Sequence, residues 1–323
     1  MLRQTVNRLG DVLPPERVFV ITNAEQVDAV KEVCDNLPGE NIIGEPVGRD
    51  TAAAVGLAWL LVKQRDPGAV FAMLPADHVI HDESGFRQVL RAAFDAARRE
   101  EILVTIGITP THAATGYGYI QTGSVRFAVD GTPVYQVQAF REKPDQATAE
   151  EYLKSGAYYW NAGMFVWSVN AIGNALQAHA AGLHESLANM QEDIDGGTSV
   201  DDAMARHYPT LEKISIDYAI MEKATNVAVI KSSFDWDDVG EWPAVSRHEE
   251  TDADGNTTKG DTVLKHAEGN IVLSSRGHTT AVLGCKDLII VTTADATLVC
   301  HKDEAQNLKN LVREIGEDRP ELM

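Results

Sequence analysis

Short apolar runs alternate with stretches of helical period along the first part of the chain. Leu2, Val6 and Leu9 share one helical face and Gly10 stops it, so Met1 to Leu9 reads as a helix. Val18 to Thr22 reads as a buried strand, Ala24 to Leu37 as a helix and Asn41 to Glu45 as a second strand. Asp50 can cap a helix from Thr51 to Arg65 that is apolar on most faces and therefore buried. Phe71 to Leu74 is a strand, Phe86 to Arg99 a helix and Ile102 to Ile106 another strand. Strands alternating with helices predict an α/β class: a doubly wound, mostly parallel, Rossmann-like sheet.

The pattern then loosens. Gly116 to Ile120 is a glycine–aromatic turn into a strand, Val134 to Phe140 a strand, and Trp160 to Trp167 a turn into an apolar strand. Helical segments fill Val169 to His207 and Ile216 to Lys223, and Val227 to Lys231 is a further strand. Thr251 to Gly260 is polar and glycine-containing and reads as a linker. Residues 1–250 are thus expected to form one domain and 260–323 a small β-rich one. No strict internal repeat is visible.

Hydrophobic content of 44% supports a full core in 323 residues. A formal charge of −20 excludes a nucleic-acid surface and means that an anionic substrate needs local cations, helix ends or a metal ion. The three cysteines show no CxxC spacing and suggest neither a disulfide framework nor a zinc site. With no long apolar run and no leader, a soluble cytoplasmic protein is expected.

The chemistry starts at Asp77, a carboxylate delivered past the end of the Phe71 strand by Leu74-Pro75-Ala76. Ligands of open α/β sheets collect beyond strand ends, although a turn or capping role would also place an aspartate there. Asp235, Asp237 and Asp238 form a second acidic group. Two such carboxylates in one cleft would repel by about 4 kcal/mol at 4 Å and an effective dielectric of 20, which a divalent ion relieves; the alternative is a solvated turn. Lys143 follows Glu142 and is held by Pro144. Lysine suits a phosphate and glutamate suits sugar hydroxyls, while an ordinary surface ion pair is equally compatible. Glu45, Pro46, Arg49, Asp50 and Thr51 lie in a loop at a helix N-terminus, a place that favours anions. Gly116-x-Gly118 lacks the third glycine and the following helix of a dinucleotide motif. Trp59, Trp160 and Trp167 read as core.

Together, Glu45-Pro46-x-x-Arg49-Asp50-Thr51-Ala52, Leu74-Pro75-Ala76-Asp77-His78, Gly116-Tyr117-Gly118-Tyr119-Ile120 and Phe140-Arg141-Glu142-Lys143-Pro144 resemble a known family in wording and order. So do Trp160-Asn161-Ala162-Gly163-Met164-Phe165, Ser215 to Lys223 and Trp236-x-Asp238-Val239-Gly240-x-Trp242. The family is that of the mannose-1-phosphate guanylyltransferases, or GDP-mannose pyrophosphorylases. The resemblance implies GMP transfer from GTP to mannose 1-phosphate, with Asp77 and Asp238 as Mg²⁺ ligands and Lys143 on the mannose phosphate. It also implies Glu142, Asn161 and the Gly118 backbone around the sugar, and the Glu45 to Thr51 loop beside the guanine. The part after Gly260 resembles a short left-handed β-helix that pairs subunits into a homodimer, with no isomerase domain expected beyond it.

In one respect the chain departs from the family. The family opens with a strand and a glycine-rich loop, Gly-Gly-x-Gly-Thr-Arg-Leu, then Pro-Lys-Gln. Here the chain begins at what resembles the following helix, so a segment of roughly 30–40 residues is expected to be missing. Either the start lies upstream of Met1, or the chain is a catalytically inactive sugar-nucleotide-binding subunit. A pyrophosphorylase for another nucleotide or hexose phosphate is a further alternative.

Overall fold

The structure is a computed structural model that describes residues 1–319. Contacts divide it into two compact units, Met1–Trp236 and Asp237–Met323. The first holds strands β1 (Val20–Asn23), β2 (Ile42–Glu45), β3 (Val70–Met73), β4 (Leu103–Ile108), β5 (Tyr119–Val129), β6 (Thr132–Arg141), β7 (Tyr158–Ser168) and β8 (Val227–Lys231). Its helices are α1 (Leu2–Arg8), α2 (Val27–Val33), α3 (Asp50–Arg65), α4 (Glu83–Arg99), α5 (Gln146–Ser155), α6 (Val169–His179), α7 (Ala181–Asp195) and α8 (Val200–His207).

Six strands form one sheet in the order β3-β7-β4-β8-β6-β5, and β1 pairs with β2 in parallel. β4 and β8 are parallel neighbours, whereas β7 runs antiparallel between β3 and β4. β3 and β4 consequently share a direction without touching. Alternation of strands and helices in sequence does not reveal this insertion. Helices cover both faces. The apolar residues of α3, α6 and α7 close one core with Phe71, Phe165 and Trp167, and those of α4 close the other with Val104, Ile106 and Trp160. Trp59, Trp160 and Trp167 are buried as expected.

Several boundaries moved for local reasons. Asp50 is the first residue of α3 rather than its cap. It adopts φ +64°, and its carboxylate accepts from the adjacent Thr51 N–H at 2.7 Å. The segment expected as a helix at Ile216 to Lys223 closes as a π-helical turn, Asp217–Met221. The expected turn at Trp160 lies inside β7, where Gly163 takes φ +65° and the β4 register slips between Thr105 and Gly107.

The second unit contains α9 (Trp242–His248), β9 (Thr257–Lys259), β10 (Asp261–Lys265), β11 (Ile271–Leu273), β12 (Thr279–Leu283), β13 (Leu288–Thr292), β14 (Thr297–His301) and α10 (Leu308–Asp318). β9, β11 and β13 stack in parallel with Thr257, Ile271 and Ile289 in register, and β10 stacks on β12. The polar stretch before Gly260 is not a free linker. Asn256 and Thr257 are fully buried as the first rung of this stack. The Asn256 side-chain oxygen accepts from both the Asn270 backbone N–H and its side-chain amide, and the Asn270 oxygen accepts from Leu288 N–H. Gly255, Gly269 and Asp287 all have left-handed φ just before their rungs. A Cβ on Gly269 would stand 2.6 Å from Asp287 Oδ1. The coil therefore does repeat, in conformation if not in wording.

Candidate functional site

Asp77 sits in a bend beyond β3 and its side chain is 75% exposed. The loop that carries it is fixed from behind. In α1, Thr5 donates its hydroxyl proton to Ala76 O at 3.2 Å and the buried Arg8 guanidinium donates to His78 O at 3.1 Å. His78 is buried, with Nε2 at 4.0 Å from Asp77 Oδ1 and Nδ1 accepting from Trp236 Nε1 at 3.0 Å. Burial pulls the Arg8 pKa below its ordinary value, an effect that Glu83 and Asp235 oppose. Pro75 of the same loop lies against Gly163, two residues from Asn161.

Gly118, Glu142, Lys143 and Asn161 come together. Asn161 N–H donates to Gly118 O at 2.8 Å. A Cβ on Gly118 would sit 2.4 Å from Glu142 Oε2 and 3.3 Å from the Asn161 Cβ, so a larger residue here would displace the Glu142 carboxylate. Glu142 is largely buried, and its Oε1 pairs with Lys143 Nζ at 3.0 Å. Its backbone N–H donates to Glu222 Oε1 at 3.1 Å. Lys143 adopts φ +46°, a conformation that costs a non-glycine residue about 1 kcal/mol or more and that concentrates at functional sites. The Glu142 hydrogen bond raises the Lys143 pKa, so the ammonium is kept charged.

This cluster continues into residues that the sequence did not single out. Asn161 Nδ2 donates to Asp217 Oδ1 at 3.0 Å, while Asn161 Oδ1 accepts from Thr105 Oγ1 at 3.1 Å. Burial first, and the Glu142 charge second, push the Asp217 carboxyl up to about 6. Asp217 lies within a stretch that contributed to the family resemblance, but no periodicity or spacing pointed to its side chain.

The loop from Glu45 to Thr51 is held by the segment after α8. Tyr208 donates its hydroxyl proton to Glu45 Oε1, and Arg49 donates to Pro209 O. The Thr51 hydroxyl accepts from Ile216 N–H at 2.9 Å, and Ala52 N–H donates to Ile214 O at 3.1 Å. Burial raises the Glu45 carboxyl, against the Tyr208 hydrogen bond. Pro46, Val47 and Gly48 remain exposed. Residues 208–217 thus touch the Glu45 loop at one end and the Asn161 cluster at the other.

The acidic run is divided in its roles. Asp235 accepts from the N–H groups of His81 and Asp82, at 3.0 Å and 2.7 Å, ahead of α4. In the second unit Asp237 accepts from Arg247 Nε at 2.6 Å and pairs with His248 Nε2 at 2.8 Å. Burial would raise the Asp237 carboxyl, but the hydrogen bonds from Arg247, Val239 N–H and His248 outweigh it and hold the pKa at about 2. Asp238 Oδ1 accepts from Gly240 N–H at 3.2 Å, and the intervening Val239 has φ +48°, rare for a β-branched residue. Among the described residues no group of three or more His, Cys, Asp or Glu side chains converges as a ready-made metal cage.

Comparison with known proteins bears on what this arrangement does. The nucleotidyl transferase profile matches residues 1–255, and that of the MannoseP isomerase/GMP-like beta-helix domain matches residues 260–315. The mannose-1-phosphate guanylyltransferase of Sinorhizobium fredii is 38% identical over 98% of this chain and 62% of its own length. The alginate biosynthesis protein AlgA of Pseudomonas aeruginosa is 36% identical over 98% of this chain and 65% of its own. The chain therefore spans a little under two-thirds of these two curated relatives. A solved structure of mannose-1-phosphate geranyltransferase from Thermus thermophilus superposes with a TM-score of 0.82 at 33% identity, covering 97% of this chain and 88% of that one.

Proposed function

The chain belongs to the nucleotidyl transferase family, and on that premise we propose that it transfers GMP from GTP to mannose 1-phosphate, giving GDP-mannose and pyrophosphate. The relatives' names supply the nucleotide and the sugar. The observation that carries the reading is the packing of Glu142, Lys143 and Asn161 around Gly118, a cation beside hydroxyl-binding groups at one point of the sheet.

In this reading Lys143 holds the phosphate of mannose 1-phosphate, while Glu142, Asn161 and the Gly118 backbone orient the hexose. A phosphate oxygen of the sugar then attacks the α-phosphorus of GTP in line; the new O–P bond forms as the bond to pyrophosphate breaks. The chain forms no covalent intermediate, so its contribution is positioning and charge. Glu45, Pro46, Arg49, Asp50 and Thr51 border the guanine, with the loop steadied by the bonds of its Glu45, Arg49 and Thr51 side chains to residues 208–216.

Nucleotidyl transferases generally use a divalent metal. Asp77 and Asp238 are the proposed ligands, and their hard oxygen donors suit Mg²⁺, which takes one or two carboxylates and completes its shell from substrate phosphate and water. When bound, the ion neutralises charge on the phosphates. The second unit is proposed to pair two copies. Val263 and Leu283 are exposed on the β10–β12 ladder, and Leu311, Val312 and Ile315 are exposed on α10. No helix among the described residues is long and apolar enough to cross a membrane, and the same reading assigns the enzyme to the cytoplasm.

The test is incubation of the chain with GTP, mannose 1-phosphate and Mg²⁺, following pyrophosphate and GDP-mannose together. UTP and glucose 1-phosphate serve as exchanged partners. Equal turnover with the exchanged substrates, or binding without pyrophosphate release, overturns the proposal.

A further inference from the structure

Asp217 has no role in the reaction as written above, yet it faces the cluster assigned to the sugar. Its Oδ1 accepts from Asn161 Nδ2 at 3.0 Å. The other end of that amide accepts from Thr105 Oγ1 at 3.1 Å and from Gly163 N–H at 3.2 Å. The oxygen thus meets two donors and the nitrogen meets a carboxylate, so a flipped amide would oppose like groups at both ends. Asp217 is the contact that gives the nitrogen end its direction.

The charges around Asp217 come from two elements. Glu142 and Lys143 act on it from the segment after β6. Tyr218 and Glu222 belong to its own turn and its exit, Tyr218 acting on the Lys143 charge and Glu222 accepting from Glu142 N–H. Two carboxylates, those of Glu142 and Asp217, therefore bear on the one ammonium of Lys143. A phosphate delivered to that ammonium competes with both and adds negative charge beside them. Added negative charge favours the neutral form of a carboxyl, and Asp217 is the one already near that transition.

We propose that Asp217 is a positioning residue for the hexose phosphate, aiming the Asn161 amide, and that phosphate binding at Lys143 is accompanied by proton uptake from solvent onto the Asp217 carboxyl. This rests on the assignment of Lys143 to the sugar phosphate. After protonation one oxygen still accepts from Asn161 while the O–H becomes a donor, so the amide stays aimed in both states. The coupling makes affinity for the sugar phosphate fall as pH rises above the midpoint of Asp217.

The experiment is calorimetric titration of the full chain with mannose 1-phosphate at pH 7, in buffers of different ionisation enthalpy, for the wild type, Asp217→Asn and Asp217→Ala. The ligand's own phosphate titrates too, so the quantity read is the difference in protons between wild type and Asp217→Asn. Expected is a positive difference of a sizeable fraction of a proton. Asp217→Asn, which keeps an acceptor oxygen for Asn161, should retain affinity, and wild-type affinity should decline relative to that of this variant between pH 6 and pH 8. Asp217→Ala should bind about tenfold more weakly at every pH. Circular dichroism and unfolding midpoints establish that each variant is folded. Equal proton numbers in wild type and Asp217→Asn, or wild-type affinity in Asp217→Ala, overturn this inference alone. No binding of mannose 1-phosphate by the wild type overturns the functional reading and the inference with it.

Discussion

Trp236 Nε1 donates to His78 Nδ1 over 3.0 Å. An indole N–H can only donate, so Nδ1 must accept and a neutral imidazole carries its proton on Nε2. That nitrogen stands 4.0 Å from Asp77 Oδ1. The ring beside the exposed carboxylate therefore has its tautomer set on its far side. Trp236→Phe keeps a ring against Tyr117, 5.3 Å away in the native packing, but removes the donor. A loss of about 1 kcal/mol in denaturant unfolding is expected, with a higher Mg²⁺ requirement for pyrophosphate release. Native values for both would show that the hydrogen bond does not support Asp77.

Lys143 is the charge assigned to the sugar phosphate, and its pairing with Glu142 at 3.0 Å keeps it aimed. Lys143→Ala should raise KM for mannose 1-phosphate by about tenfold or more while changing that for GTP far less. Initial-rate kinetics with each substrate varied in turn make the comparison. Equal effects would move Lys143 off the sugar phosphate.

Asp77→Asn and Asp238→Asn each remove one charge from the proposed ion ligands while preserving shape. Each should lower kcat by about 10²–10³-fold at saturating substrates, and each should flatten the dependence of rate on Mg²⁺ concentration. A variant with normal kcat identifies a carboxylate that does not hold the ion.

The raised Asp217 carboxyl also predicts a pH trend in stability. Between its ordinary 3.8 and about 6 the folded chain binds this proton more tightly than the unfolded chain. Stability from this group is present at the acid end and declines as pH rises through 6. The full difference, at 1.36 kcal/mol per pH unit, bounds the effect at about 3 kcal/mol. Asp237 acts oppositely. Held at about 2, it contributes stability that is lost as pH falls from 3.8 through 2. Urea unfolding between pH 4 and pH 7 should show the decline in wild type and a flatter profile in Asp217→Asn. Parallel profiles would place Asp217 in contact with solvent.

Leu283 is 71% exposed and Val263 49% exposed on neighbouring strands of the coil. If that face joins two copies, Val263→Lys with Leu283→Lys should convert a dimer to a monomer in light scattering while leaving the first unit folded. A monomeric wild type, or a dimeric double variant, rules out this face as the interface.

Asp77 and Lys143 were legible as candidates from local chemistry, whereas Gly118 and Asn161 entered only through the family resemblance. Asp77 follows an apolar run and a proline; Lys143 is pinned between Glu142 and Pro144; both stand in loops where such residues need a reason. Asp217 was not legible, because its partner Asn161 is 56 residues away on β7 and a helical period says nothing of which carboxylate a turn directs inward. The coil was hidden differently. Its register joins Thr257 to Ile271 and Ile271 to Ile289, unequal steps that share a backbone shape but no common spacing. The polar Asn256 looked like a linker residue because its side-chain oxygen meets the Asn270 amide only once the rungs are stacked.

The π-helical turn at Asp217–Met221 has a genetic consequence. Its defining bond runs from Glu222 N–H back to Asp217 O at 3.0 Å, one residue further than an α-helix reaches. A single-codon deletion inside the turn would let it close as ordinary helix and rotate Asp217 by about 100° relative to the chain that follows. The aspartate itself would remain in the gene, along with Asn161 and Lys143, yet it would no longer meet the Asn161 amide. The direction of this carboxylate is therefore inherited as a reading of residue number, open to loss by a change of length that no substitution scan would sample.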